Sequence, residues 1–265
     1  MRIARFMDAG EIVRIGLVEG DRVRLATGNL FAGLTATDVS LPLADVRLLA
    51  PIEPVNILAI GRNYKAHAEE WGGGLPAAPV MFMKTTTSVT GPGADVVLPA
   101  IAPHAVDFEA ELAVVIGRTA RAVSRAEALD YVLGYTCAND ISARDCQRGD
   151  EQWCRGKSFD TFCPLGPWIE TELDPAGCAI QGRVDGEVFQ DASTSLLVFD
   201  VPYLISYLSA GMTLLPGTVI LTGTPGGVGS ARQPPRYLQP GSVTEVEIEG
   251  LGILRNRIVA AAATA

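Results

Sequence analysis

The sequence predicts a mainly β fold with a few short helices, divided into a small N-terminal β unit over residues 1–50 and a larger β domain over 55–265. Three observations point there. The apolar segments are short and rich in β-branched residues, at 80–83, 108–116, 132–138, 219–222, 245–248 and 253–258. Helix boundary signals are few, and no sustained βα alternation is present, which argues against a doubly wound sheet or a TIM barrel. Pro51 and Pro54 each fix φ and push the residue before them to extended backbone, so the stretch around them reads as a linker.

Taken in order, residues 12–18 and 22–25 flank Glu19-Gly20-Asp21, whose glycine suits a tight hairpin turn and makes the first unit a β-meander. Ser124 followed by Glu127 is a capping-box signature for a helix continuing through 128–132, although its end competes with the next strand. Asp200 as cap, Pro202 in the first turn and Gly211 as terminator frame a second helix. Gly250-Leu251-Gly252 joins the last two strands.

Composition bounds the function. A chain with 48% hydrophobic and 19% charged residues is globular. The net charge of -9, with no run of Lys or Arg, argues against nucleic acid or an anionic membrane as partner. No apolar segment approaches the ~18 residues of a membrane span, and Met1-Arg2-Ile3 leads into a strand-like pattern rather than a signal peptide, so a cytoplasmic protein is expected. The 5 cysteines contain no C-x-x-C pair and read as reduced thiols. With only 2 histidines a three-histidine zinc site is excluded, so any metal would be bound mainly by oxygen.

Several residues could carry chemistry. Strand alternation puts Phe108, Ala110, Leu112 and Val114 on one face and Glu109 with Glu111 on the other. Two neighbouring acids in a partly buried setting need a counter-charge, which a hard divalent cation supplies. An isolated E-x-E pair is, however, more often a solvated edge strand. The strand ending in Asn139-Asp140 offers a third carboxylate at its terminus, although a turn or helix cap explains Asp140 equally well. Three carboxylates with open positions suit Mg²⁺ or Mn²⁺. His67 and Glu70 at i,i+3 share one face of a helical turn and form a plausible base, an arrangement also common as a surface ion pair. Gly72-Gly73-Gly74 would let that turn move as a lid.

Lys84 and Lys157 fit an anion site. A Walker A reading of Gly156-Lys157-Ser158 fails because Glu151 stands where a glycine is required. The loop from Thr222 through Thr224 to Gly229 can present N–H groups and hydroxyls to a carboxylate, and it lacks a dinucleotide fingerprint.

In this order the motifs resemble the fumarylacetoacetate hydrolase family, especially its shorter acylpyruvase-like and 2-hydroxyhepta-2,4-diene-1,7-dioate isomerase-like branch. The matching stretches are Gly61-Arg62-Asn63-Tyr64 with His67 and Glu70, Glu109-Ala110-Glu111-Leu112, the segment from Asn139 to Asp145, Gly156-Lys157-Ser158-Phe159-Asp160, and the segment from Thr222 to Gly229. The resemblance implies a mixed β-roll and a homodimer. It implies that Glu109, Glu111 and Asp140 bind Mg²⁺ or Mn²⁺, with Ca²⁺ able to stand in for them in crystals, and that Lys157 holds and polarises the substrate while His67 and Glu70 activate water. Arg62, Tyr64, Lys84, Gln147, Arg155 and Thr224 are the expected substrate contacts, with Arg155 a candidate for a distal carboxylate. The expected activity is hydrolysis of a C–C bond in an acylpyruvate or similar 2-oxo acid through a metal-held enolate. Oxaloacetate decarboxylation, ureidoglycolate cleavage and isomerisation are alternatives on the same site, and a non-catalytic dicarboxylate-binding protein is the alternative of another class.

Overall fold

The computed structural model describes residues 1–72 and 74–262, so Gly73, the middle glycine of the expected lid, lies outside the described residues. Strands dominate, as the short apolar segments require. The α-helices among the described residues are Lys65–Glu70, Arg144–Gly149, Cys154–Lys157 and Val201–Gly211. None is long and apolar enough to cross a membrane.

One mixed sheet of twelve strands runs in the order Gly33–Pro42, Arg22–Asn29, Val13–Glu19, Arg2–Met7, Cys163–Glu170, Val132–Asn139, Ala110–Ile116, Thr218–Leu221, Asn56–Gly61, Val80–Lys84, with Arg47–Leu48 and Val89–Thr90 as side branches. A second sheet of five strands packs against it, in the order Glu187–Ser193, Ala179–Val184, Val243–Ile248, Gly252–Ala260, Asp95–Leu98. The N-terminal meander joins the large sheet through the pairs Arg2↔Glu170 and Ile3↔Ile169. Its tight turn is built as its sequence requires, with Glu19 paired to Arg22 and Gly20 at φ 62.

The strand Ala110–Ile116 lies inside the large sheet and is buried at every position. Leu112, Val114 and Ile116 enter the core shared with Val246, Ile248 and Leu254 of the second sheet and with Leu204, Ile205 and Leu208 of the helix. The opposite face is not left to the acids alone. Ala113 and Val115 continue it into a second core with Ile57, Leu165, Ile169 and Val219. Apolar contact on both faces explains why this segment reads as a nearly continuous hydrophobic run.

The helix Val201–Gly211 begins as its sequence indicates: Asp200 accepts from the Tyr203 N–H at 2.9 Å and Pro202 sits in the first turn. The expected helix through 128–132 is instead a 3-10 turn at Ala128–Tyr131. Ser124 donates to the Glu127 carboxylate at 2.6 Å, but the chain enters a strand at Val132, which pairs with Ile116. Sheet pairing overrides the local helix signal there.

Because Leu112 is fully buried between the sheets, Leu112→Ala is expected to cost about 2–5 kcal/mol in denaturant unfolding. A loss below about 1 kcal/mol would mean that this strand does not anchor the core.

Candidate active site

Strand register assembles the acids. Ala110 pairs with Asn139 and Glu111 with Ala138, so the next antiparallel pair places Glu109 opposite Asp140, and the Asp140 N–H donates to the Glu109 carbonyl at 2.9 Å. One carboxylate oxygen from each of Glu109, Glu111 and Asp140 lies within 4.8 Å of the others, and all three residues are buried. On the far side of the same strand the Thr222 N–H donates to the Leu112 carbonyl at 3.1 Å, which brings the Gly223 N–H to Glu111 Oε2 at 2.6 Å. Gly223 has φ +102, and a Cβ there would meet Asn63 Cβ at 2.7 Å, so only glycine lets the backbone approach that closely.

Cations ring the acids. Lys157 Nζ donates to Glu109 Oε2 at 2.6 Å and to Asp140 Oδ2 at 2.7 Å. Lys84 Nζ donates to Asp140 Oδ1 at 2.5 Å and to the Ile141 carbonyl at 3.3 Å. Arg144, fully buried, lies 2.8 Å from Asp107 Oδ2 and 2.7 Å from Glu109 Oε1 through Nη2, and donates to Gln147 Oε1 at 2.9 Å through Nη1. Asp107 is held in turn by the Gly229 and Ser230 N–H groups at 2.8 and 3.0 Å. Arg144 and Asp107 stand inside or beside the recognised motifs but were not assigned a role from sequence. A buried Arg–Asp pair leaves no periodic pattern by which to find it.

These partners set the protonation of the acids. Burial alone would raise the Glu109 carboxyl, but Lys157 and Arg144 outweigh it and hold it well below the usual range. Burial would likewise depress the Lys157 ammonium, and Asp140 with Glu109 reverse that and raise it. Glu111 behaves oppositely. Burial raises it first, and Asp140 and Glu109 push it further up. Among the described residues the hydrogen bond to the Glu111 carboxylate comes from a backbone N–H and not from a cation.

The cleft above the acids is narrow and is lined by Arg62, His67, Gln147, Lys157 and Thr224, with Trp71, Phe82 and Trp153 as apolar walls. The Glu70 carboxylate accepts from His67 Nδ1 at 2.9 Å and from the Gly227 N–H at 2.6 Å, while the Trp71 indole donates to His67 Nε2 at 3.2 Å. Thr224 uses its hydroxyl internally, donating to the Ala110 carbonyl at 2.9 Å and accepting from Gln190 at 2.7 Å.

Three expected substrate contacts lie elsewhere. Lys84 does not line the cleft, since its side chain is fully enclosed behind Asp140. Tyr64 is 2% exposed, its hydroxyl is buried without a hydrogen-bond partner among the described residues, and it does not line the cleft. Arg155 is exposed and bound through two nitrogens to Asp150 at 2.7 and 2.6 Å. In each case sequence proximity to a motif did not disclose which way the side chain turns.

The donor set fits a hard divalent cation. It is all oxygen, each carboxylate oxygen keeps a lone pair beyond its present hydrogen bond, and four buried acids (Asp107, Glu109, Glu111, Asp140) face three buried cations (Lys84, Arg144, Lys157). Glu111 is the acid left without a buried cation, and burial with its two acidic neighbours favours its protonated form.

A β-rich fold with a buried, cation-ringed acid triad beneath a small cleft has the arrangement of an enzyme site. The chain belongs to the fumarylacetoacetate hydrolase family: residues 56–259 match the model described as fumarylacetoacetate (FAA) hydrolase C-terminal, and residues 1–51 match the one described as Rv2993c-like, N-terminal. It is similar to protein Rv2993c of Mycobacterium tuberculosis, with 49% identity over 232 residues covering 86% of this chain and 84% of that protein. It is 44% identical to the human protein named oxaloacetate tautomerase FAHD2A, mitochondrial, over 225 residues, 83% of this chain and 71% of the relative. The crystal structure described as 2-hydroxyhepta-2,4-diene-1,7-dioate isomerase from Mycobacterium marinum superposes with a TM-score of 0.89 at 43% identity, covering 98% of each chain. The mixed β-roll implied by the sequence motifs is therefore the fold found.

The charge balance makes a pH prediction. Glu109 contributes stability above its ordinary value of 4.5, lost as pH falls through its lowered pKa. Glu111, raised from 4.5, contributes stability present below that value and lost as pH rises through its folded pKa. A divalent cation competes with the Glu111 proton, so the rise in Tm on adding Mn²⁺ is expected to be larger near about pH 8 than near about pH 5. At a hundred times Kd it should correspond to about 2.7 kcal/mol. Glu111→Gln should leave the metal-free Tm unchanged or higher and abolish the rise. A metal-free Tm that drops by several degrees would contradict this charge assignment.

Proposed function

We propose that the protein is a metal-dependent enzyme of small 2-oxo acids, interconverting their keto and enol forms, with hydrolysis of a C–C bond as a second reading. The observation that carries it is the buried triad of Glu109, Glu111 and Asp140 with the Lys157 ammonium 2.6 and 2.7 Å from two of its members. Glu109, Glu111 and Asp140 would hold Mg²⁺ or Mn²⁺, which when bound supplies Lewis acidity toward a carbonyl oxygen.

The chain's own residues account for the remaining steps. Lys157, 2% exposed, places a fixed positive charge at the cleft floor, where preorganised electrostatics stabilise charge developing on the C2 oxygen. Gln147 is held in the cleft by Arg144 at 2.9 Å, and its amide can orient the substrate carboxylate. Glu70 accepts a hydrogen bond from the His67 Nδ1–H, and the Trp71 N–H directed at Nε2 agrees with a lone pair on that nitrogen. In the keto-to-enol direction His67 Nε2 takes the proton from C3 and passes it to the C2 oxygen, while the Lys157 ammonium keeps its proton and donates a hydrogen bond to that oxygen as charge gathers there. The Trp71 indole must first release Nε2, which it holds at 3.2 Å.

Trp71 does not order the two readings, because its indole must leave Nε2 in either. The relatives named as an oxaloacetate tautomerase and a diene-dioate isomerase are the reason to place tautomerisation first. Hydrolysis remains the second reading because the His67–Glu70 pair is equally suited to activating water once Trp71 turns away. We place the enzyme in the cytoplasm as a homodimer with a small 2-oxo acid as its partner, and light scattering tests the dimer.

Protein loaded with Mg²⁺ or Mn²⁺ should interconvert enol and keto oxaloacetate, followed by ultraviolet absorbance, with little pyruvate release from acylpyruvates. His67→Ala should reduce this rate on the order of 10²- to 10⁴-fold. Stoichiometric pyruvate release would move the assignment to the hydrolase, and no turnover in either assay would defeat both readings.

A further inference from the structure

Arg62 differs from every other cation at the cleft. Its backbone holds φ 56, a left-handed conformation disfavoured for any residue with a Cβ. Its Nε is buried with no hydrogen-bond partner, and its guanidinium lies 5.8 Å over the Trp153 ring. Trp153 is fixed in turn. Phe82 meets it edge-on with centroids 5.4 Å apart, and a Cβ at Gly61 would come within 2.6 Å of its ring, so glycine lets the indole seat directly against the strand end. The chain thus adopts an unfavourable conformation at Arg62, and a prepared aromatic platform supports its side chain. Such strain concentrates at ligand-binding positions.

The other nearby cations are already engaged with acids: Lys157 with Glu109 and Asp140, Lys84 with Asp140, and Arg144 with Asp107 and Glu109. Arg62 lines the cleft and has no carboxylate partner among the described residues. Arg62 is thus a cleft-lining cation that no acid among the described residues neutralises, and a second carboxylate on a substrate would supply the missing partner.

We propose that Arg62 binds the distal carboxylate of the substrate and makes the cleft selective for 2-oxo dicarboxylates over 2-oxo monocarboxylates. This rests on the reading of the cleft as a 2-oxo acid site. Arg62 takes the role expected for Arg155, which points to solvent and is neutralised by Asp150. Its fork of N–H donors matches a carboxylate, and the Trp153 face holds the fork in plane.

The test uses Mn²⁺-loaded protein and tryptophan fluorescence, because Trp71 and Trp153 line the cleft. Affinity is measured for two pairs of acids matched in carbon count: oxaloacetate with 2-oxobutanoate, and 2-oxoglutarate with 2-oxopentanoate. The wild type should bind the diacid of at least one pair more tightly, on the order of 10-fold or more. Arg62→Met, which keeps the apolar stem on Trp153, should weaken that diacid roughly 10- to 100-fold and its monoacid by no more than about 3-fold. Arg62→Lys should recover part of the loss, since it restores charge without the fork. Oxalate, too short to reach beyond the triad, should bind both proteins within about 3-fold and so reports that the variant is folded and loaded. Equal affinity within both pairs in the wild type, or equal loss on diacid and monoacid in Arg62→Met, overturns the proposal. If the wild type turns over no 2-oxo acid yet shows the Arg62-dependent preference, the functional reading falls and the Arg62 assignment stands.

Discussion

Three carboxylates forced together in a place with little water determine much of what surrounds them. Glu109, Glu111 and Asp140 are each at most 4% exposed, and three unpaired charges at that depth would be prohibitively unfavourable. The structure answers with Lys157 between two of them, Lys84 behind Asp140, and Arg144 bridging Asp107 and Glu109. These ion pairs arrange donors and charges, and they are weak evidence of added stability, because burying a pair costs nearly what its attraction returns. The compensation is also incomplete. Glu111 is the acid left with a backbone N–H and no cation as its partner.

The β architecture makes that crowding feasible. A strand enclosed by partners on both sides supplies a rigid rail, and its antiparallel register with Val132–Asn139 brings Asp140 opposite Glu109 to within one backbone hydrogen bond. On the other side, the loop after Thr218–Leu221 presents Gly223 to Glu111 and Gly229 to Asp107. Acids held by strands and loops held by acids form a closed set of constraints. Groups fixed in this way need little rearrangement when charge develops, which is the condition for electrostatic catalysis.

Above that rigid floor the cleft is built from different material. His67, Glu70 and Trp71 belong to or adjoin the six-residue helix Lys65–Glu70, tied to the rest by the Glu70–Gly227 hydrogen bond. Asn63 just before it donates to the Phe199 and Thr222 carbonyls, and His67 and Ala68 are buried, so the helix is held in place and the Trp71–His67 contact is a bond that can open without moving it. A rigid acidic floor below and the His67–Glu70 pair above make up the site.

Much of this was legible before any coordinates. Apolar patterning disclosed the β class, the Gly20 and Gly250 turns and the capped helix at Asp200, because each depends on residues close in sequence. The acids Glu109, Glu111 and Asp140 could be singled out because charge inside an apolar strand or at its end violates the local pattern. Tertiary structure decided the rest. Local signals at Ser124 and Glu127 promised a helix where sheet pairing imposed a strand. Side-chain direction decided that Lys84 is buried behind an acid, that Arg155 turns to solvent and that Arg62 faces the cleft. Asp107 and Arg144, 37 residues apart, meet only through the fold. Sequence records which charges are present, but compensation between buried charges depends on distances across strands, and no periodicity in one dimension encodes those.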